Sequence, residues 1–170
     1  NGLSASGNAY ITGNVGIGTT APLVKLYVLD ASKKVGSGNT NVFIMSSDAQ
    51  AIDKGGSISL GGYRDDAATV VVPFGYIWGR KENSTTVNNN GYLALGTRDD
   101  SVGAREWLRV TSQGNVGIGT TGPISKLGVL GNASIGATYG AIAAPTSGMI
   151  IEGNVGIGTT TPQTKLDVWG

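Results

Sequence analysis

The run Gly-Asn-Val-Gly-Ile-Gly-Thr-Thr occurs three times, at Gly13–Thr20, Gly114–Thr121 and Gly153–Thr160, and each copy continues into x-Pro-x-x-Lys-Leu-x-Val. Within each copy apolar and small positions alternate. Val15 and Ile17 stand between Asn14, Gly16 and Gly18, the period of two that predicts a short strand with one buried face. Thr19-Thr20-Ala21-Pro22 then reads as a turn, because Pro fixes φ and biases its predecessor toward extended backbone. A second short strand follows, with Leu26 and Val28 on one face and Lys25 and Tyr27 on the other. The glycines between the apolar residues predict either close approach by another backbone or a φ that other residues avoid.

Four apolar side chains are too few to hold sixteen ordered residues, so such a unit needs neighbours. The first two copies begin 101 positions apart and the last two 39 apart, so they cannot be successive coils of one solenoid. They read instead as clamps between different modules, burying their faces against other copies of the chain. The expected assembly core is Val15, Ile17, Leu26 and Val28 in the first unit, Val116, Ile118, Leu127 and Val129 in the second, and Val155, Ile157, Leu166 and Val168 in the third.

Between the first two units, from about Leu29 to Ser112, the texture changes. Alternating runs predict strands at Asn41–Ser47, Ser57–Tyr63, Val70–Val72, Gly75–Arg80, Tyr92–Thr97 and Glu106–Thr111, with turns rich in Gly, Asn, Asp and Ser. No helical period of useful length interrupts them, which predicts a small antiparallel sheet or sandwich with Ile58, Leu60, Ile77, Leu93, Leu95, Leu108 and Val110 as its core. GNASIGAT, within Gly131–Glu152, is a weaker echo of the repeat, and Met149-Ile150-Ile151 leads into the third unit as a strand. The expected organisation is all-β: shaft repeat 1 over 1–28, an inserted β-sandwich-like knob over 29–112, shaft repeat 2 over 113–130, a shaft connector over 131–152 and shaft repeat 3 over 153–170.

Composition narrows the chemistry. Glycine contributes 29 of 170 residues and charged residues only 14%, against about 25% charge in ordinary globular chains. A net charge of +1 without a basic stripe gives no reason to expect nucleic acid or an anionic membrane as partner. No apolar stretch reaches the roughly 18 residues of a membrane span. The absence of Cys and His removes thiolate chemistry, disulfides and the commonest general base and metal ligand, and no cofactor, metal or catalytic residue is assigned. The glycine order G-x-x-G-x-G reverses the dinucleotide fingerprint, no apolar helix follows it, and no Gly-Lys-Ser/Thr marks a phosphate loop. The chain begins at Asn1 without an initiator Met and reads as a piece of a longer protein.

The candidate ligand surface lies in the insert. Tyr63-Arg64-Asp65-Asp66 and Arg98-Asp99-Asp100 each place Arg-Asp-Asp just after a strand, and Trp78 supplies an aromatic group suited to a sugar or a protein. Paired acids at loop tips suit Ca²⁺ or a polar ligand; they equally suit turns, where Asp bonds its own backbone.

The wording LRVTSQGNVGIGTTGPISKL at Leu108–Leu127, together with GGSISLGGY, GRKEN and GYLALGTRDD upstream, resembles segments of bacteriophage tail-fibre and tailspike-like proteins, many of which end in a self-cleaving chaperone. The resemblance covers most of the chain. It implies an elongated, parallel homotrimeric β-fibre shaft with short intertwined strands and an inserted small antiparallel knob, in an extracellular structural segment that contacts itself and adjoining fibre segments. Three chains around an axis would place three copies of Val15 and Ile17 in one core layer. Such fibres often end in a part that recognises a host-surface glycan or protein, so a carbohydrate- or receptor-binding module acting through the knob is the alternative. Similar repeats occur in secreted or surface-anchored bacterial filaments, a third reading.

Overall fold

The computed structural model describes residues 11–29 and 42–170. The chain divides into two compact units, Asn1–Ile44 and Met45–Gly170. In the first, β1 (Val15–Ile17) pairs in parallel with β2 (Leu26–Val28). In the second, β3 (Gly55–Tyr63), β4 (Val71–Lys81), β5 (Gly91–Asp99), β6 (Gly103–Val110), β7 (Val116–Ile118) and β8 (Leu127–Val129) form one six-stranded sheet in sequence order. Two further parallel pairs follow: β9 (Ala133–Ile135) with β10 (Met149–Ile151), and β11 (Val155–Ile157) with β12 (Leu166–Val168). Among the described residues the protein is all-β, its one helical turn being a short 3-10 segment at Tyr139–Ala141.

The strands of the repeat fall where alternation places them, and the geometry accounts for nearly every residue of the motif. Each copy is one turn of a β-solenoid-like coil, in which a strand, a tight corner and a parallel return strand pair Val15 with Leu26, Val116 with Leu127 and Val155 with Leu166. The motif Asn crosses the corner: Asn14, Asn115 and Asn154 donate Nδ2 to the carbonyls of Pro22, Pro123 and Pro162 at 3.0, 3.1 and 3.2 Å. The first Thr receives a backbone N–H two residues on, at Ala21, Gly122 and Thr161. The motif Lys reaches back to a carbonyl thirteen residues earlier, from Lys25 to Thr12, Lys126 to Gln113 and Lys165 to Glu152. The middle glycine of the motif is required by close approach. A Cβ on Gly156 would sit 2.5 Å from the Thr159 carbonyl oxygen, and at Gly16 and Gly117 it would come closer still to Thr19 and Thr120. The third glycine, at Gly18, Gly119 and Gly158, has φ of 77°, 72° and 75°, the left-handed region glycine enters freely.

The weaker echo builds the same device with a longer corner. Asn132 donates to the Ala144 carbonyl at 2.7 Å, Ser134 to Ile142 at 2.6 Å, and β9 and β10 pair in parallel. The Glu152 carboxylate accepts the backbone N–H groups of Thr138 and Tyr139, which hold its pKa below the ordinary carboxylate range.

The central segment departs from expectation in two ways and narrows it in a third. Residues 42–47 of the expected strand Asn41–Ser47 are not a strand, and Asn41 lies outside the described residues, as do 1–10 and 30–40. Val70–Val72 and Gly75–Arg80 fuse into β4, which passes through Pro73. That proline is tolerated because β5 pairs with β4 only from Gly75 onward, leaving the Pro73 end with one neighbour. Finally, of the antiparallel sheet or sandwich expected, the described residues form the single sheet, with no second layer among them. This sheet runs on through a Thr111–Asn115 turn into the second repeat, where the Thr111 N–H donates to the Asn115 carbonyl, the Asn115 N–H donates to the Thr111 hydroxyl and Gly114 takes φ of 73°.

The register gives this layer two unlike faces. One row reads Ile58, Ile77, Leu95, Leu108, Ile118 and Val129 across all six strands; beside it run Leu93, Val110, Val116 and Leu127. The expected core residues therefore do share a face, but they are not a core within the chain. Ile58, Leu60, Ile77, Leu93 and Leu95 are all exposed, from 37% at Ile77 to 59% at Leu60. Across the described residues the buried hydrophobic positions are Tyr92, Ala94 and Ala144, and no large side chain is fully buried.

Candidate functional site

The opposite face of the sheet is polar and aromatic. Its row reads Ser57, Trp78, Ala94, Arg109, Gly117 and Gly128, flanked by Tyr76, Gly96 and Glu106 on one side and by Arg80 and Tyr92 on the other. Along β4 the alternation Tyr76-x-Trp78-x-Arg80 stands three long side chains side by side: Tyr76 and Trp78 stack with centroids 4.9 Å apart, and the Arg80 guanidinium lies 5.4 Å from the Trp78 centroid. Small residues on β5 make room. Ala94 is completely covered, and a Cβ on Gly96 would collide with the Trp78 ring.

Trp78, Arg80 and Tyr92 line an open depression of about 340 Å³ with Asp53, Ala104, Glu106 and Arg109. Tyr92 is held from two sides: its hydroxyl donates to Asp53 Oδ1 at 2.6 Å, and the Arg109 guanidinium covers its ring at 3.6 Å from the centroid. Burial, then the bond to Asp53, pushes the Tyr92 pKa up to about 12. Arg109 is clamped by Glu106 through two bonds of 2.6 and 2.8 Å, the bidentate form that favours Arg over Lys. That bond raises the Arg109 pKa above its ordinary value. Asp53 sits in a turn at φ of 63°, a left-handed conformation that Asp tolerates better than most side chains. The turn is secured by Arg80 Nη1 donating to the Asp53 carbonyl at 2.9 Å, by the Asp53 N–H donating to the Lys81 carbonyl and by the Lys81 N–H donating to the Lys54 carbonyl. Arg80 Nε is the one buried side-chain donor left without a partner among the described residues.

Of the sequence-predicted ligand residues, Trp78 lines this depression and Arg98 shares its face beyond Glu106, across from Ala104. The others lie elsewhere. Tyr63 ends β3 and Asp99 ends β5, so the two Arg-Asp-Asp tracts leave the same end of the sheet about 10 Å apart, two strand spacings with β4 between. Asp65 accepts from the Thr69 hydroxyl and from the Thr69 and Val70 N–H groups, and Asp99 accepts from the Ser101 hydroxyl and N–H. These bonds hold both carboxyls below the ordinary range, the hydroxyl bond being the largest cause in each. Both acids are thus occupied as turn-formers. Arg64 closes its own turn through its N–H to the Val70 carbonyl, while Asp66 and Asp100 point into solvent. Among the described residues no group of three acidic side chains is close enough to hold a metal ion.

Sequence reasoning did not single out Asp53, Arg80, Glu106 or Arg109. The period-two alternation of Tyr76, Trp78 and Arg80 was a usable signal for the second of these. Glu106 and Arg109 share a side only because a bulge makes Trp107 an extra residue opposite Leu95 and Gly96, which spacing alone does not reveal.

Most of these groups are engaged with one another, Arg80 Nε excepted. Trp78 has Tyr76 and Arg80 as neighbours along its strand, and Tyr92 is capped by Arg109, so the faces a sugar ring would stack on are taken by the chain's own groups. What remains open is the Trp78 edge and the polar heads of Asp53, Glu106 and Arg109.

No protein-family model matches the chain, and no curated protein matches it significantly. No helix among the described residues is long and apolar enough to cross a membrane.

Proposed function

We propose that the chain is a structural segment of an extracellular homotrimeric fibre, a viral tail fibre or a similar appendage, that assembles through its GNVGIGTT repeats and carries no catalytic activity. The observation behind this reading is the recurrence of one solenoid-like coil most of whose apolar residues stay bare among the described residues. Ile17, Leu26, Leu127, Ile157, Leu166 and Val168 are all more than half exposed, in a chain whose turns are fixed by bonds to the Asn, first Thr and Lys of each motif. A sequence that spends so much specificity on a scaffold and leaves its apolar edge bare is built to meet copies of itself. The bacteriophage-fibre resemblance supplies the threefold count and the extracellular setting. Multi-angle light scattering on the purified chain tests it. A mass of three chains is expected, and replacing Ile157 and Val168 with Asp lowers it, because charges would be buried without partners. A folded single chain at all concentrations refutes it.

A second reading, recognition of a host-surface glycan or protein by the polar face, draws on the depression around Trp78 and Arg109. Glycan-array binding abolished by Trp78→Ala would favour it; absence of binding by the assembled chain on such an array would count against it.

A further inference from the structure

We infer that the apolar face of the six-stranded sheet is itself a self-association surface, packing against the same face of other copies of the chain, with the Tyr76–Trp78–Arg80 face turned to solvent. The inference rests on the fibre reading and extends it. In that reading the repeats assemble and the segment between them is a separate knob; here the central segment is part of the wall that assembles.

Three observations carry it. The first is the extent of the face. The row Ile58–Ile77–Leu95–Leu108–Ile118–Val129 crosses six strands, about 24 Å at roughly 4.8 Å per strand. With Leu93, Val110, Val116 and Leu127 beside it, the strip covers on the order of several hundred Å², at the upper end of what a monomer leaves bare. Neither row contains a charge. Arg105 stands only at the rim, its guanidinium over Trp107, whose Nε1 donates to Thr97 at 2.8 Å.

The second is continuity. Ile118 and Val129 belong at once to the sheet row and to the second repeat, so whatever covers the repeat also reaches the sheet. The third is recurrence, which selects the occupant. The pair β11–β12, outside this sheet, presents the same register of Val155, Ile157, Leu166 and Val168 with comparable exposure. One segment of the chain folded back could cover one such place. A partner that presents the same apolar register at each place is another copy, and the match is then self-complementary.

The opposite face has no such need. There Arg80 lies over Trp78, Arg109 covers Tyr92 and is bonded to Glu106, and the Tyr92 hydroxyl is bonded to Asp53, a polar skin suited to solvent.

The test places charge on each face in turn and reads mass and β-sheet circular dichroism. Leu95→Glu is expected to dissociate the assembly while the sheet spectrum survives, since Leu95 is already 42% exposed in the single chain. Ser57→Glu, on the polar face, is expected to leave the mass unchanged. Because the chain has no cysteine, single cysteines give a second readout that tolerates a fold-sensitive site. Ile77→Cys, Leu95→Cys and Ile118→Cys are oxidised mildly at low protein concentration. At least one is expected to form a covalent pair of chains, as a Cα separation under about 7 Å allows, whereas Ser57→Cys is not. A native mass retained by Leu95→Glu, or cross-linking no better from the apolar row than from Ser57, overturns the inference. If Ile157→Asp with Val168→Asp still dissociates the chain in that case, the repeats assemble and only the sheet's role falls; a monomeric native chain overturns both.

Discussion

Replacing Gly117 with Ala is the sharpest test of why the motif is worded as it is. Gly117 is the middle residue of Val-Gly-Ile in the second repeat, and a Cβ there would fall well inside contact distance of the Thr120 carbonyl oxygen, with the Thr120 methyl at 3.2 Å and Pro123 Cδ at 3.3 Å. The obstacle is backbone, so it cannot swing away as a side-chain tip would. Thr120 is held by the Gly122 N–H on its hydroxyl, and the corner is held by Asn115 on the Pro123 carbonyl. Overpacking of this kind costs about 3 kcal/mol, the upper part of the usual range. For a chain of this size that is a fall in Tm of about 6–12 °C. Gly122, five residues on, is the internal control: nothing lies within 4 Å of a Cβ there and its φ is not left-handed. Gly122→Ala should change stability by less than about 1 kcal/mol in either direction. Thermal and urea unfolding of the two variants at one protein concentration measures the difference, concentration being fixed because assembly contributes to apparent stability. Hydrogen exchange at the Val116 amide, bonded to the Lys126 carbonyl at 2.9 Å, should accelerate only in Gly117→Ala. Equal stability of the two variants would refute the close-approach explanation.

Asn115→Ala, which removes the Nδ2 bond to Pro123, should cost about 1 kcal/mol in urea unfolding, and Asn154→Ala should behave alike because its bond to Pro162 is the same. Glu106→Gln loosens the clamp on Arg109 and should cost about 2 kcal/mol, a bond to a charged group being worth more than a neutral one; near-ultraviolet dichroism should report the release of Tyr92. Tyr92 also gives a pH dependence. Its folded pKa is raised from the ordinary value of 10.0 to about 12, so the stability it supplies is full below pH 10 and is lost as pH climbs from 10 to about 12. Alkaline melts should show a loss across that window that is absent in Tyr92→Phe.

The repeats were legible because local chemistry fixes them. Alternation locates Val15–Ile17 and Leu26–Val28, proline marks the corner, and glycine announces close approach; all three copies obey. Alternation also put Ile58, Ile77, Leu95 and Leu108 on one side. Missing from the sequence was anything to say that this side has no second layer, since strand patterns look alike whether an apolar face meets its own chain or another. The fusion of Val70–Val72 with Gly75–Arg80 was hidden by Pro73, which forbids a central strand but not one whose neighbour stops at Gly75. Asn41–Ser47 shows the converse: an apolar run resembles a strand, yet residues 42–47 find no partner strand. The candidate site was partly legible. Trp78 stood out by type, whereas Asp53 enters by a left-handed turn far from it in sequence, and Glu106 meets Arg109 across a bulge. The Arg-Asp-Asp tracts stayed open between two readings because turn-forming Asp and ligand-binding Asp are the same residue in the same setting until their hydrogen bonds are seen.

The central claim is that this chain exposes its apolar register to meet copies of itself. The most direct measurement is the mass of the intact protein by light scattering across a wide concentration range. The account predicts three times 17.2 kDa, persisting on dilution, and a particle of 17.2 kDa with a cooperative melt would contradict it.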